Sequence, residues 1–276
     1  MLFHRIRAEN MNKRMKITTA DKISLTEGIR LNKYLSDAGI CSRREADRMI
    51  EAGLVKINHE IAGTGQRVFP GQTVYVRGKK IQNSRPLILI AVNKPVGVEC
   101  TSNAKVKNNI MDLVHFNEHI FPVGRLDKDS EGLILMTNDG GLVNKINRFG
   151  NNHEKEYIVK VNKPLTNTFV DGMSKGVPIL DTVTRPCTVN PMDKFTFRIV
   201  LTQGLNRQIR RMCEHFGYKV ISLKRIRIMN IQLGHLKSGS WRNVSGGELD
   251  RLEKLLTGSK DGPLEDPEYK KGKHHG

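Results

Sequence analysis

The sequence lacks the long hydrophobic run that a membrane-spanning helix requires. Its longest apolar run covers residues 87–92, whereas a helical span needs roughly 18 such residues. Residues 1–17 also lack the uninterrupted apolar core of a signal peptide, because charged residues recur every few positions. These absences predict a cytoplasmic protein that does not bind a membrane.

Cysteine is scarce, and its spacing excludes two kinds of site. The four cysteines contain no C-x-x-C pair, so neither a zinc ribbon nor a redox dithiol is encoded at the usual spacing. The closest Cys/His pair is Cys213 with His215, but Cys213 falls on the apolar face of a predicted helix. We therefore expect reduced, structural thiols and no metal site. The cysteines are Cys41, Cys100, Cys187 and Cys213.

Acidic residues are too few to balance the basic ones. The chain of 276 residues has 46 Lys plus Arg against 28 Asp plus Glu, a net charge of +18. With 38% hydrophobic residues it can bury a core, so it is not a disordered polycation. The surplus charge predicts a polyphosphate partner, and RNA or another nucleic acid is the default.

Composition and periodicity divide the chain into five parts. Residues 1–28 are polar and basic without sustained periodicity and predict a flexible arm. Residues 29–81 form a small helix–helix–strand unit, and residues 82–86 a hinge. Residues 87–256 alternate strands and helices in a larger domain, and residues 257–276 predict a disordered tail.

Two amphipathic helices open the small unit. The first has apolar residues at helical spacing and ends at Gly39. The second begins with Ser42 and Glu45 as a capping-box pair and ends at Gly53. Short strands follow around a turn at Pro70. The apolar faces are Leu31, Tyr34, Leu35 and Ala38 in the first helix, and Ala46, Met49 and Ile50 in the second.

The small unit carries ten basic and five acidic residues. A charge run on a helix is often only a solvated face, but here the order of elements from residue 30 to 58 closely resembles the S-four-type RNA-binding domain. The resemblance implies that basic side chains of the two helices contact RNA phosphates without reading bases. These side chains are Lys33, Arg43, Arg44 and Arg48.

The larger domain contains a Gly-Arg-Leu-Asp loop within FPVGRLDKDSEGLILMTNDG. A strand is predicted over Leu133 to Met136, and a turn at Asn-Asp-Gly, residues 138–140. A lone aspartate in such a loop, here Asp127, is most often a turn-former. The flanking Arg125 and Lys128 favour the alternative, an ionised carboxylate beside a polyanion.

A second stretch, LTQGLNRQIRRMCEHFGYKV, predicts an amphipathic helix. Residues 199–229 hold seven basic residues and one acidic residue, which would repel one another unless an anion lies nearby. Carboxylate and phosphate are both candidates. The apolar face is Ile209, Met212, Cys213 and Phe216, and the polar face is Arg207, Arg210, Arg211 and Glu214.

Three blocks, GRLDKDSEGL, HEKEYIV and GLNRQIRRMCEHFG, resemble the signature blocks of pseudouridine synthases that act on a single ribosomal RNA uridine. The resemblance extends over residues 29–250 and is strongest to F-type synthases of bacterial large-subunit ribosomal RNA, with B- and E-type synthases as alternatives. It implies an α+β fold, in which the small α-L RNA-binding domain precedes a catalytic domain with a mixed, largely antiparallel sheet.

The resemblance also implies a reaction without a cofactor, and roles for particular residues. The family places the nucleophile or base on the aspartate that is Asp127 here, and pairs it with the arginine that is Arg210. Tyr157 corresponds to an aromatic residue that packs on the target uracil. Arg125 corresponds to an arginine that enters the RNA when the nucleotide flips out of the stem. The RNA-binding residues implied in this domain are Arg125, Lys128, Arg207, Gln208 and Arg211.

The expected substrate is large-subunit ribosomal RNA, with a transfer RNA as an open second substrate and a monomeric enzyme. Two other functions stay open on composition and chemistry alone. One is a non-catalytic RNA-binding or ribosome-assembly protein, which would have no reason to combine Asp127, Tyr157 and Arg210. The other is a hydrolytic nucleosidase, which would release free uracil.

Overall fold

The computed structural model describes residues 28–81, 86–101, 103 and 105–259. The predicted arm up to residue 27, most of the predicted hinge and the tail from residue 260 lie outside the described residues. The described chain divides into two units at residues 88 and 89, with the short segment 117–120 grouped with the first unit.

The described residues of the first unit form two helices and six short strands. Four strands form one sheet in the order β3-β2-β5-β6, and β1 pairs with β4. In chain order the elements are β1 (Ile29–Arg30), α1 (Leu31–Asp37), α2 (Arg43–Glu51), β2 (Val55–Ile57), β3 (Glu60–Ile61), β4 (Arg67–Val68), β5 (Val74–Val76) and β6 (Lys79–Lys80).

Both predicted helices of this unit are confirmed. Leu31 and Leu35 of α1 are buried, and the chain reverses at Gly39, whose φ is +66°. Ser42 caps α2 by accepting a hydrogen bond from the Glu45 backbone N–H, which is half of the predicted capping box. The apolar faces pack with Val55, Val68 and Val74 of the strands into one core.

The second unit is built around a nine-stranded sheet. A short 3₁₀ turn at Phe149–Asn151 precedes β10. In chain order the elements are β7 (Leu89–Lys94), α3 (Ile110–Val114), β8 (Phe121–Val123), β9 (Glu131–Thr137), α4 (Gly140–Asn147), β10 (Lys155–Val161), α5 (Asn167–Lys175), β11 (Pro178–Ile179), β12 (Thr182–Val183), β13 (Thr188–Pro191), β14 (Thr196–Leu201), α6 (Gln208–His215), β15 (Val220–Ile228), β16 (Ile231–Gln232), β17 (Trp241–Asn243) and α7 (Gly246–Leu256).

The strand order is β13-β14-β10-β15-β9-β7-β17, with β16 beside β15 and β8 beside β9. Among the described strands, β9 and β15 run parallel and the other pairs are antiparallel. The sheet is therefore mixed and largely antiparallel, so the predicted α+β class is confirmed.

One edge of β9 is shared by two strands. β7 pairs with one edge of β9 from Gly132 to Thr137. β15 and β8 therefore both pair with the other edge of β9. There β15 pairs at residues 131–132 and β8 pairs at residues 135–137. The connection from β8 back to β9 is the loop 124–130, so the topology places this loop next to β15.

The predicted turn at residues 138–140 is instead a helix start. Asp139 caps α4, because its side chain accepts hydrogen bonds from the N–H groups of Gly141 and Leu142. Asn and Asp favour both turns and helix N-termini because their side chains accept backbone N–H groups, and Gly is tolerated in both through its backbone freedom, so the local pattern did not separate the two. No helix within the described ranges is both long and apolar enough to cross a membrane.

Candidate active site

The loop 124–130 holds Asp127 through its backbone. The Leu126 N–H donates to Cys100 Sγ at 3.4 Å, and the Gly97 N–H donates to the Lys128 carbonyl at 2.7 Å. The Ser130 N–H donates to the Asp127 carbonyl at 3.1 Å, which closes a tight turn. The Asp127 side chain remains 34% exposed, so a rigid backbone presents an accessible carboxylate.

Arg207 lies at the N-terminus of α6 and reaches two carboxylates of this loop. Its backbone is left-handed, with φ 50°. Its Nη1 lies 3.5 Å from Asp127 Oδ2. Its two terminal nitrogens also donate to Asp129 Oδ1 at 3.2 Å and Oδ2 at 3.1 Å, a bidentate pair.

Arg210, one turn into α6, is buried with 7% exposure. Its Nη2 donates to the Asp129 carbonyl at 2.9 Å and to Ser130 Oγ at 3.2 Å, and lies 3.3 Å from Asp129 Oδ2. Its Nε is buried and has no partner among the described residues. Arg210 therefore fixes the loop to α6 and is not part of the exposed polar face on which the sequence pattern placed it.

The pairing of Asp127 differs from the prediction. Arg210 was expected as its partner, but the ion pair to Asp127 comes from Arg207, while Arg210 binds Asp129 and Ser130. The tight turn at Asp127–Ser130 is the reason, since it brings Asp129 rather than Asp127 over the buried guanidinium.

Asp129 is held in its charged form. Burial acts to raise its pKa, but the hydrogen bond from Arg207 and the charges of Arg210 and Arg207 outweigh burial, so the pKa is lowered. Because Asp129 satisfies much of the charge of both arginines, Asp127 keeps free acceptor capacity for a substrate.

Tyr157 lies on β10 and is 9% exposed. Its cross-strand partner on β15 is Arg225, whose guanidinium carbon lies 6.0 Å from the ring centroid. Arg225 Nε donates to the Leu133 carbonyl at 2.6 Å, and Nη1 donates to the Arg125 carbonyl at 3.4 Å. Arg225 therefore connects the tyrosine to the Asp127 loop and to β9, the strand that follows this loop.

Two lysines, one fully and one partly buried, add to the positive charge. Lys94, at the end of β7, is fully buried and donates to the carbonyls of Pro95 and Val98, both at 2.9 Å. Burial lowers its pKa, and the charges of Cys100, Asp129 and Asp127 act in the opposite direction. Lys155, at the start of β10, has a pKa lowered to about 8, by burial and then by the charge of Arg225. Such a concentration of cations suits an anionic ligand.

The predicted RNA-binding residues of this unit separate into two groups. Arg125 and Lys128 are exposed at the loop, and Arg211 is partly exposed while it donates from Nε to the Asn206 carbonyl at 3.1 Å. Gln208 does not fit its prediction. It is 4% exposed, its Oε1 accepts from the Leu205 N–H at 3.0 Å, and it begins the buried side of α6.

In the first unit, Arg43 and Arg44 are exposed on α2. Arg48 forms an ion pair with Glu45. Lys33 pairs with Asp37 at 2.7 Å, one turn along α1. The Arg48–Glu45 pair is exposed and therefore weak, so Arg48, like Arg43 and Arg44, remains available to a stronger anion, whereas Lys33 is partly buried against Asp37.

The cysteines are free thiols. Burial raises the pKa of Cys213 to about 12 and that of Cys187 to about 11, so both stay protonated and unreactive. Cys213 is fully buried, as the helix pattern predicted. Within the described residues, no three His, Cys, Asp or Glu side chains are grouped to hold a metal ion.

Sequence reasoning missed four residues of the site. Asp129 and Ser130 stood inside the quoted loop, and their spacing from Asp127 gave no sign that they face α6. Lys94 and Arg225 gave a weak signal, since each is a charged residue within or ending an apolar strand. Such residues need a partner when buried, and only the fold identifies it.

Comparison with known proteins gives two family matches. The sequence profile described as "RNA pseudouridylate synthase" matches residues 88–215, and that of the S4 domain matches residues 29–74. The first contains Asp127, Tyr157 and Arg210, and the second contains α1 and α2.

Three curated relatives are similar over most of the chain. The "Dual-specificity RNA pseudouridine synthase RluF" of Escherichia coli (strain K12) is 55% identical over 233 residues, 84% of this chain and 80% of its own. An "Uncharacterized RNA pseudouridine synthase" of Aquifex aeolicus is 34% identical, over 83% of this chain and 95% of its own. The "Ribosomal large subunit pseudouridine synthase B" of Bacillus subtilis is 32% identical, over 84% of this chain and 98% of its own.

A solved structure described as "Crystal structure of pseudouridylate synthase" has the same fold. It superposes with a TM-score of 0.60 at 25% sequence identity, over 83% of this chain and 100% of that one.

Proposed function

The chain belongs to the RNA pseudouridine synthase family, and from that membership we propose that it isomerises one uridine of large-subunit ribosomal RNA, with a transfer RNA as a second substrate. The similarity to a relative described as dual-specificity and to another described as acting on the large ribosomal subunit supports this choice. A ribosomal substrate also implies a cytoplasmic enzyme, which we propose acts as a monomer.

The reaction exchanges two bonds of the nucleoside. The bond from the ribose anomeric carbon to uracil N1 breaks, and a bond from the same carbon to C5 forms. The hydrogen on C5 is lost, and N1 of the rotated base carries one instead, so atoms balance without a co-reactant. A carboxylate can assist by attacking the anomeric carbon or by removing a ribose proton.

We assign that carboxylate to Asp127. The observation that carries the assignment is its setting: an accessible carboxylate on a loop fixed by three backbone hydrogen bonds and paired with a single exposed arginine at 3.5 Å. The neighbouring Asp129 is more exposed, at 47%, but both of its carboxylate oxygens accept hydrogen bonds from Arg207, and Arg210 Nη2 lies 3.3 Å from one of them. Tyr157 would pack on the uracil, and Arg210 would hold the loop in place.

Asp127→Asn tests the catalytic assignment. The change is nearly isosteric, so folding and RNA binding should be retained while pseudouridine formation falls by at least about 1000-fold. Asp171→Asn, an exposed aspartate of α5, is the matched control and should have the wild-type rate. The measurement is a single-turnover assay on ribosomal RNA at saturating enzyme.

The products separate the competing functions. Wild-type enzyme should leave the RNA mass unchanged and release no uracil. Free uracil would establish a nucleosidase, and no change at any uridine would leave only RNA binding. Activity of Asp127→Asn within tenfold of wild type would reject Asp127 as the catalytic carboxylate.

The target is tested by mapping pseudouridine in cells with and without the protein. Carbodiimide modification followed by primer extension should lose one stop in large-subunit ribosomal RNA when the protein is absent. A transfer RNA fraction treated in the same way decides on the second substrate. Loss only in small-subunit ribosomal RNA would overturn the proposed target.

The RNA-binding role of the first unit rests on the S4-domain match and on α2. Arg43, Arg44 and Arg48 follow one another along an exposed surface of α2, and the S4 match covers both helices. We propose that they contact phosphates and position the RNA.

A further inference from the structure

Arg225 is buried on β15 with 3% exposure, yet no carboxylate of the described residues lies within 4.0 Å of its side-chain nitrogens. Its Nη2 is also buried and has no hydrogen-bond partner in the described part of the chain. Burying an unpaired charge costs free energy, and a residue with only a packing role is satisfied better by an apolar side chain. A packing role alone therefore does not explain an arginine at position 225.

The contacts of Arg225 join three parts of the site. Its guanidinium faces the Tyr157 ring at 6.0 Å, and its Nη1 and Nε donate to the carbonyls of Arg125 and Leu133. Arg125 lies two residues before Asp127, and Leu133 lies six residues after it in the following strand. One side chain therefore connects the tyrosine with both sides of the loop.

The backbone of β15 is held equally close to this loop. Gly132 of β9 pairs with Arg225, and a Cβ on Gly132 would lie 2.2 Å from the Arg225 carbonyl oxygen. A contact that short is possible only for glycine. The arginine is thus fixed at its Cα as well as at its guanidinium.

We propose that Arg225 is a positioning residue for isomerisation: it holds the Tyr157 ring and the Asp127 loop in one fixed geometry while the uracil leaves and returns. The inference rests on the proposed roles of Asp127 and Tyr157. Rigid placement matters in this reaction because the base must rotate between two bonds to the same carbon, and a small displacement of either group slows both steps.

Arg227 of the same strand provides a matched control. It pairs with Glu154 and Glu156 and lies on the other face of the sheet from Tyr157, since Glu156 and Tyr157 are adjacent on β10. Arg227→Met removes an arginine from the same strand without touching the proposed site. Its rate should stay within about twofold of wild type.

Arg225→Met should reduce the single-turnover rate at saturating RNA by about 100-fold, with the dissociation constant for RNA within about threefold. Arg225→Lys keeps the charge and one donor for the Leu133 carbonyl but loses the planar fork. It should recover only part of the rate, to between about threefold and tenfold below wild type. Melting temperatures of Arg225→Met, Arg225→Lys and Arg227→Met are measured in parallel, so that rates are compared per folded molecule.

A double-mutant cycle separates positioning from a merely structural role. In a Tyr157→Leu background there is no ring to place, so Arg225→Met should cost tenfold or less instead of about 100-fold. Equal costs in both backgrounds, or an Arg225→Met rate matching that of Arg227→Met, would overturn the proposal. If Arg225→Met does not fold, a full wild-type rate for Arg225→Lys overturns it and a reduced rate with unchanged RNA binding supports it.

Failure of this inference can be told apart from failure of the proposed function. An active Asp127→Asn enzyme contradicts the catalytic assignment itself. An inactive Asp127→Asn enzyme together with a fully active Arg225→Met enzyme contradicts only the positioning role.

Discussion

Two arginines of β15, Arg225 and Arg227, lie on opposite faces of the sheet and have different partners. On one face Arg227 is matched by two carboxylates, Glu154 at 2.9 Å and Glu156 at 2.6 Å. On the other face Arg225 is more deeply buried and bonds only backbone carbonyls. Arg227, which has two carboxylate partners, stabilises the sheet. Arg225, which has no carboxylate partner among the described residues, lies beside Tyr157.

A bulge makes this difference possible. Residues two apart on a strand normally share a face, but the register between β10 and β15 shifts between Glu156 and Tyr157. Arg227 therefore opposes Glu156 and Arg225 opposes Tyr157. One additional residue on β15 sends the two arginines to opposite faces, as bulges beside active sites often do.

Among these predictions, Gly132→Ala should have the largest effect on stability and on the rate. The new methyl group would lie 2.2 Å from the Arg225 carbonyl oxygen and 2.8 Å from its nitrogen, and the φ of Gly132 is +103°. Because both neighbours are backbone atoms, β9 and β15 must separate. We expect a loss of about 3–5 kcal/mol in the free energy of unfolding, measured by urea denaturation, and at least a tenfold lower rate per folded molecule.

Gly246→Ala is the control for that prediction. Gly246 is the first residue of α7, and a Cβ there meets no atom within 4 Å. Its stability should match or slightly exceed that of wild type. If Gly132→Ala folds with wild-type stability, the close approach of β9 and β15 does not fix Arg225. The backbone would then not account for the difference between Arg225 and Arg227.

The elements of the fold were largely readable because periodicity reports burial. Leu31 and Leu35 predicted α1, and Ile209, Met212 and Cys213 predicted the buried face of α6; all are buried. Asp139 shows the limit, since a residue that accepts backbone N–H groups serves a turn and a helix start equally well.

The site was harder to predict, because its contacts join residues far apart in sequence. Arg210 was assigned to the polar side of α6 and Gln208 to the RNA contacts, but both are buried against the chain. The partner of Asp127 depended on a tight turn that moves Asp129 over Arg210. The bulge opposite Tyr157 leaves no pattern in β15, so the separation of Arg225 from Arg227 could not be predicted.

The effect of Lys155→Met on the free energy of unfolding should depend on pH. The folded-state pKa of Lys155 is lowered to about 8 from 10.5, so below about pH 8 the folded protein carries a buried charge that destabilises it. As the pH rises from about 8 towards 10.5 the folded lysine becomes neutral, and the contribution of this group to stability increases. The variant should be more stable than wild type at about pH 7, by up to about 2 kcal/mol.

That gain should shrink at about pH 9.5, where wild-type Lys155 is already neutral in the folded protein. Thermal unfolding at both pH values measures it. Lys160→Met, at an exposed lysine near the end of β10, is the control and should show no such dependence. If the gain in stability of Lys155→Met is the same at both pH values, the charge of Lys155 does not destabilise the folded protein.

Glu156→Gln gives the smallest expected effect and examines the other face. The carboxylate lies 2.6 Å from Arg227 Nε and 3.4 Å from Arg198 Nε, and its side chain is 12% exposed. The amide keeps the shape but removes the charge, so the free energy of unfolding should fall by about 1–2 kcal/mol. Glu253→Gln on α7 should cost less than about 0.5 kcal/mol. Because Glu156 faces away from Tyr157, the rate per folded molecule should equal that of wild type. A slower rate at unchanged RNA affinity would show that both faces of β15 serve catalysis, and the division between a stabilising arginine and a positioning arginine would not hold.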